Sequence, residues 1–358
     1  MISVLAPIDA FCSLDIPLAH RLPIAIIGAG GIVADAHLPA YQQAGLEIVG
    51  VADVDRKRAG DVADRFGIPT VYSSVESLLE DDRVAVVDIA VPYQAQPDVF
   101  RRVATAGKHI LAQKPLAASA REAADLADIA EAHHIRAAVN QQLRFDEGIA
   151  GAYAMVEQGW IGEVSAMSIT VNITTPWHLW EWALHAKRLE VLMHSIHYHD
   201  VIRWFLGEPV SVHCVAGKTK GQSPVGETRT VTSYRYPEDV VAVVHANHVN
   251  VGGDNSAVFR IDGSHGSIRG TLGLLYDYPD GRPDTLEVNS LVVATDGWLP
   301  YPVTRRWIPD AFAGTMGSLL REIATGEPAR STIRDNVKTM QIVESLYTSI
   351  EEQREVRI

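Results

Sequence analysis

A chain of 358 residues is long enough for two domains and a sizeable buried core. Its 31 basic and 44 acidic residues give a formal charge of −13, which argues against a nucleic-acid partner and against an anionic membrane surface. Two cysteines, Cys12 and Cys214, exclude a disulfide framework and point to a reducing, cytoplasmic setting, and no apolar run reaches membrane-spanning length.

Residues 1–21 form an N-terminal extension that carries Asp9 and Asp15 and lacks the basic start of a signal peptide. A loosely attached tail and a partner-covering arm both fit it. The organised chain begins at Leu22-Pro23-Ile24-Ala25-Ile26-Ile27, a short apolar run that reads as a parallel strand covered on both faces. It turns through Gly28-Ala29-Gly30-Gly31-Ile32-Val33 into a helix that carries Ala34, Leu38 and Tyr41 down one side. Gly28 permits the tight turn, and Gly30 lacks the Cβ that would hold a pyrophosphate away from the N–H groups at the helix start. A second strand, Leu46 to Ala52, ends at Asp53, whose carboxylate can accept both ribose hydroxyls of an adenosine and would repel a 2′-phosphate. This strand–glycine turn–helix–strand–acid context predicts a dinucleotide site that favours NAD over NADP. Arg56-Lys57-Arg58 could oppose that preference by pairing with a 2′-phosphate, and Asp53 could instead cap the next helix.

The alternation continues: helix Arg56 to Phe66, short strand Thr70 to Tyr72, helix Val75 to Leu79 capped by Ser74, and strand Val84 to Val91 closed by Pro92. Then come helix Asp98 to Ala106, strand His109 to Ala112, helix Ser119 to His133 and strand Arg136 to Val139. Such βα repetition predicts a doubly wound parallel sheet over residues 22–143, with its ligand beyond the carboxyl ends of the strands. Val91 and Pro92 are therefore expected to line the cofactor along with Gly28, Ala29, Gly30, Gly31, Ile32 and Asp53. From residue 144 to 358 the rhythm changes. After a linking helix, Glu147 to Val156, strand-like segments dominate: Ala166 to Asn172, Val210 to Val215, Arg229 to Tyr234, Val240 to Asn250, Ala257 to Ile261, Ser267 to Leu274 and Thr285 to Val293. Turn signals at Gly252-Gly253-Asp254-Asn255 and Pro279-Asp280-Gly281 suit an open, mainly antiparallel sheet. One strong helix, about Leu189 to Leu206, interrupts the strands. Amphipathic helices at Phe312 to Ala324 and Arg334 to Glu352 are expected to pack back toward the first domain.

Several motifs resemble the glucose–fructose oxidoreductase / inositol dehydrogenase / MocA (Gfo/Idh/MocA) family: Gly28-Ala29-Gly30-Gly31-Ile32 with His37-Leu38-Pro39, Gly107 to Leu116 around Gln113-Lys114-Pro115, and His197-Tyr198-His199-Asp200 leading to Phe205-Leu206-Gly207-Glu208-Pro209. Ile323 to Pro328 and the helix with Ser345-Leu346-Tyr347 fit as well. The resemblance implies an N-terminal Rossmann domain and a C-terminal α/β domain whose sheet serves as an oligomer interface, hence a homodimer or homotetramer. It also implies NAD(P)-linked chemistry on the CH–OH groups of a polyol or carbohydrate.

By the same resemblance Lys114 is the lysine of the family's Glu-Lys-Pro motif, touching both cofactor and the reacting oxygen, and His197 is the active-site histidine. A lysine able to act as a base needs its pKa brought down toward ~7 to 8, as desolvation can do, and Gln113 removes the neighbouring negative charge of the family's glutamate. A histidine of near-neutral pKa is suited to accept the hydroxyl proton as hydride departs. Many members carry an acid four residues before that histidine, where this chain has Met193. Glu190 and His194 are candidates to replace it, since 190, 194 and 197 share one face of a regular helix. Those residues, with His199 or Asp200, also suit a divalent metal. A polar face lining a wet substrate cleft is the favoured reading, with no metal assigned. Trp177, His178, Trp180 and Trp182 offer either a stacking platform for a sugar ring or core anchors. Asn140, Gln141 and Arg144, at the end of the last Rossmann strand, are placed to bind hydroxyls or to position the nicotinamide, and Arg144 alternatively suits an interdomain salt bridge. Two rival functions remain: a redox-neutral glycoside hydrolase or epimerase that keeps its NAD, and a non-enzymatic NAD-binding sensor or regulator.

Overall fold

The computed structural model describes residues 2–276, 278 and 281–358, the side chains of Ile2 and Ser3 excepted. Of the turn expected at Pro279-Asp280-Gly281, only Gly281 lies among them. The chain divides into two compact units, one of Leu14–Phe145 with Ile308–Met340, the other of Met1–Ser13 with Asp146–Trp307 and Gln341–Ile358.

The first unit is built on a parallel sheet of β1 (Ile24–Ile27), β2 (Ile48–Ala52), β3 (Val86–Ile89), β4 (His109–Ala112) and β5 (Ala137–Val139), in the order β2-β1-β3-β4-β5. The strands are nearly continuous apolar runs because both faces are buried, as in other doubly wound sheets. Thr70 to Tyr72 contributes only a single bridge, Val51 to Val71, and is not a strand. Helix Arg56–Phe66 is capped by the Asp55 carboxylate and ends on left-handed Gly67, and Ser74 and Ser77 form a capping box for helix Val75–Leu79. Helix Ala311–Thr325 joins this unit from the far end of the sequence. Its Phe312, Met316, Leu319 and Leu320 lie at helical spacing and pack into a core with Ile24, Ile26, Tyr41, Val51 and Leu111.

The second unit holds a nine-stranded sheet: β6 (Val164–Asn172), β7 (Ser211–Gly217), β8 (Arg229–Arg235), β9 (Val241–Asn247), β10 (Ser256–Gly263), β11 (Gly266–Thr271), β12 (Leu286–Ser290), β13 (Leu299–Tyr301) and β14 (Val356–Arg357). The order is β13-β12-β11-β10-β6-β9-β8-β7-β14, antiparallel throughout except for the parallel β6–β9 pair. One face alternates into the core beneath helices Glu147–Glu157 and Ile196–Leu206. The opposite face exposes Val215, Val231, Val241, Val243 and Val258, and Val215, Val231, His245, Thr170 and Val258 follow one another across adjacent strands.

The N-terminal extension is neither a loose tail nor wholly an arm. Helix Ile2–Cys12 packs on helix Glu147–Glu157, where Phe11, Tyr153 and Trp204 stack in succession, with ring centroids 5.6 and 3.8 Å apart. Its Asp9 also accepts a 2.8 Å hydrogen bond from the Tyr301 hydroxyl.

Candidate active site

The glycine turn sits at the carboxyl end of the parallel sheet. Gly28 has φ +106°, and a Cβ there would stand 2.3 Å from the Ala90 carbonyl oxygen, so only glycine fits. Above Gly30 lies open space, the cradle a Cβ would fill. The Gly30 carbonyl starts the following helix by accepting from the N–H groups of Val33 and Ala34. Asp53 leans against the turn, its carboxylate accepting 2.7 Å bonds from the Ala29 and Asp55 N–H groups. The cap of helix Arg56–Phe66 is Asp55, so Asp53 does not serve as that cap. Lys57 and Arg58 pair with Asp61 and with the capping Asp55 at the start of that helix. These features fit a dinucleotide, with the turn for its pyrophosphate and Asp53 for its ribose. Val91 lies beside Gly28, and the Pro92 carbonyl starts the next helix.

At the end of β4, Lys114 is half-buried and joined to Pro115 by a cis peptide bond; burial lowers its amine to about 8. A buried network fixes this turn from behind. The Gln96 amide donates to the carbonyls of Gln113, Pro115 and Leu116 at 2.7, 3.0 and 3.0 Å. Gln113 accepts from the Lys114 N–H at 2.7 Å and reaches His37 Nε2 at 3.1 Å, while His37 Nδ1 lies 2.6 Å from Asp88. Tyr41 donates to the same carboxylate, and burial together with the Asp88 charge raises its phenol well above the usual range. Gln113 thus does more than remove a charge, because it couples the lysine backbone to a buried histidine. Asn140, expected among the hydroxyl binders, instead reaches His37 at 3.3 Å and accepts from Thr315 at 2.8 Å.

Gln141 is 1 % exposed, and neither atom of its side-chain amide has a hydrogen-bond partner in its surroundings. An orphaned buried amide at a carboxyl strand end suits a ligand group. Arg144 is fully buried, paired with Asp335 at 2.8 Å and bonded to the Arg330 carbonyl, two partners within its own unit.

In the second unit the helix expected over Leu189 to Leu206 breaks at Ser195. Glu190–His194 is a π turn, closed by a 2.7 Å bond from the Ser195 N–H to the Glu190 carbonyl, and a regular helix resumes at Ile196. Across this turn Glu190 and His194 still converge. The residue that joins Glu190 and His194 is His248, just past β9, which sequence spacing could not reveal. Glu190 is fully buried, accepts from the Ser195 and Thr230 hydroxyls, and lies 3.3 Å from His248. His197 is buried with its ring edge-on to Trp307 at 5.4 Å. Burial holds His199 neutral, down at about 4, beside the Tyr234 hydroxyl. Met193, in place of the family acid, packs against the apolar cluster of Trp177, Ala183 and Leu189. Trp177 is buried in that cluster, whereas His178 and Trp182 are exposed.

Residues 22–141 match the model described as "Oxidoreductase family, NAD-binding Rossmann fold", and residues 149–269 match the GFO/IDH/MocA C-terminal domain. The chain belongs to the Gfo/Idh/MocA family. It is an NAD-binding oxidoreductase. Among its curated relatives, D-xylose 1-dehydrogenase (NADP(+)) 2 of Haloferax volcanii is 27 % identical over 91 % of this chain and 96 % of its own length. Levoglucosan dehydrogenase of Pseudarthrobacter phenanthrenivorans is 26 % identical over 70 % of this chain and 73 % of its own. The fold is shared with an Agrobacterium radiobacter oxidoreductase solved in complex with NAD+, L-tartaric acid and magnesium, at TM-score 0.84 and 22 % identity, covering 94 % of this chain and 98 % of that one. No helix among the described residues is long and apolar enough to cross a membrane.

Of the residues that matter here, sequence reasoning missed Gln96, Asp88 and His248. A signal existed for Asp88, a lone acid inside the buried run Val86-Val87-Asp88-Ile89. None existed for Gln96 or His248, whose partners lie far away in sequence.

Proposed function

We propose that this protein is a dehydrogenase of a secondary alcohol on a sugar, glycoside or cyclitol, with Lys114 and His197 as its catalytic residues. The observation that carries the chemistry is the Lys114 amine, brought by burial to about 8 at the end of a strand in the NAD-binding unit. An amine of that pKa exchanges protons readily near neutral pH, so it can accept the hydroxyl proton itself as well as polarise the oxygen. His197 holds the hydroxyl and passes the proton onward. Bound NAD supplies the hydride acceptor. Gln141, with its unsatisfied amide, is assigned to substrate, and Gln96 and Gln113 position the lysine through the backbone of its turn. The relatives named for xylose and levoglucosan support the carbohydrate class.

NAD is preferred over NADP on the strength of Asp53 and of the paired Lys57 and Arg58. The uncovered valines of the nine-stranded sheet support a homo-oligomer formed through that face, and two buried free cysteines suit a cytoplasmic setting. Purified protein incubated with NAD and a panel of sugars, glycosides and cyclitols should raise the absorbance of reduced nicotinamide. Cofactor that never leaves the protein, with chemistry but no net absorbance change, would replace this reading with a redox-neutral one.

A further inference from the structure

We propose that Glu190, His194 and His248 form a binding site for a divalent transition-metal ion with at least one coordination position left for an oxygen ligand. One ligand atom from each of the three lies within 4.8 Å of the others. His248 Nε2 and Glu190 Oε1 are 3.3 Å apart, about the edge of a tetrahedron with bonds of ~2.0–2.1 Å around zinc. Two imidazoles and one carboxylate form a mixed nitrogen and oxygen donor set that suits zinc, manganese, iron or cobalt better than calcium or magnesium.

The state of His248 points the same way. It is 1 % exposed, yet its Nε2 has no hydrogen bond even though the Glu190 carboxylate is within ion-pair distance. An imidazolium serving only as counter-ion would aim its N–H at the oxygen. Here Nδ1 lies 2.8 Å from the Thr175 hydroxyl, a partner that fixes the ring with Nε2 on the side of Glu190 and His194. The carboxylate is oriented in the same manner, by the hydroxyls of Ser195 and Thr230. The rings of His194 and His248 meet edge to face with centroids 4.0 Å apart, and Trp177 lies 5.5 Å from His248, which gives the cluster an apolar wall. The partly exposed His194 marks the side from which ion and oxygen ligand would enter. The π turn at Glu190–His194 serves this arrangement by bringing the first and last of its residues onto His248.

Binding can be read without turnover, so failure here would leave the dehydrogenase reading intact. Untagged protein is stripped with a chelator and titrated with Co2+ and with Zn2+, following the visible cobalt spectrum, metal content after gel filtration and the melting temperature. One equivalent bound per chain, tetrahedral-type cobalt bands and a raised melting temperature are expected. Glu190→Gln and His194→Asn should abolish the bands. Because Glu190 is buried and its variant could fail to fold, Thr175→Val provides a second test. It removes only the hydroxyl that orients His248 and should weaken affinity by about 10–100-fold while the fold survives. Absence of bound metal in the wild-type protein would overturn the proposal, as would binding that all three variants leave unchanged.

Discussion

Replacing Lys114 separates the roles of amine, charge and cofactor contact. With its amine at about 8, roughly a tenth of the lysine is neutral at pH 7 and roughly nine tenths at pH 9. If the neutral amine accepts the hydroxyl proton, kcat/KM for alcohol oxidation should rise about tenfold between those pH values, since this parameter reports the free enzyme. A histidine base of ordinary pKa would already be neutral at pH 7 and would give a flat profile over the same range. Lys114→Met should lower kcat by about 10²–10⁴-fold and remove the rise, while NAD affinity measured by fluorescence titration stays nearly constant. Lys114→Arg keeps a positive charge but cannot lose a proton, so it should be as impaired as the methionine variant. A flat wild-type profile, or an arginine variant with near-normal turnover, would show that the charge and not the base matters, and would refute this reasoning.

Asp53→Ser should lower NAD affinity by about 10–100-fold, the loss of charge-assisted hydrogen bonds, and raise the NADP to NAD ratio of kcat/KM in initial-rate assays. Gln96→Leu leaves three carbonyls of the Lys114 turn unpaired, so it should cost about 1–3 kcal/mol of stability and reduce kcat with little change in the KM for NAD. Asp284 is held well above the ordinary carboxyl range by burial and by the neighbouring Asp146, which caps helix Glu147–Glu157. A carboxyl raised in the folded state contributes stability that is fully present below pH ~4 and is lost as pH climbs through the folded value, by about 1.4 kcal/mol for each pH step of one between the two. Asp284→Asn should therefore raise the melting temperature more at pH 8 than at pH 5; equal changes at the two pH values would contradict the assignment. In sedimentation equilibrium the wild-type protein should run as the proposed homo-oligomer and Val231→Glu with Val243→Glu as a monomer, as charges on the exposed sheet face oppose its pairing; a wild-type monomer would refute the assigned interface.

What the sequence determined by itself is what local physics governs. The run Ile24–Ile27, the turn at Gly28, the acid at Asp53, the cap at Ser74, and the alternation of β8 each depend on neighbours a few residues away, so period, cap and turn chemistry show them directly. The two sheets follow from those elements. Tertiary structure decided the rest. Helix Ala311–Thr325 completes the core of the NAD-binding unit, and Arg144 is claimed by Asp335. Gln96 grips a turn up to 20 residues further on, and His248 meets a glutamate 58 positions before it. Even the helix expected at Leu189 to Leu206 changed its register at Ser195, where hydrogen bonds to Glu190 and Glu227 hold a π turn. Buried polar groups must find partners wherever the fold supplies them, and the chain order that brings those partners together is not encoded in any periodicity.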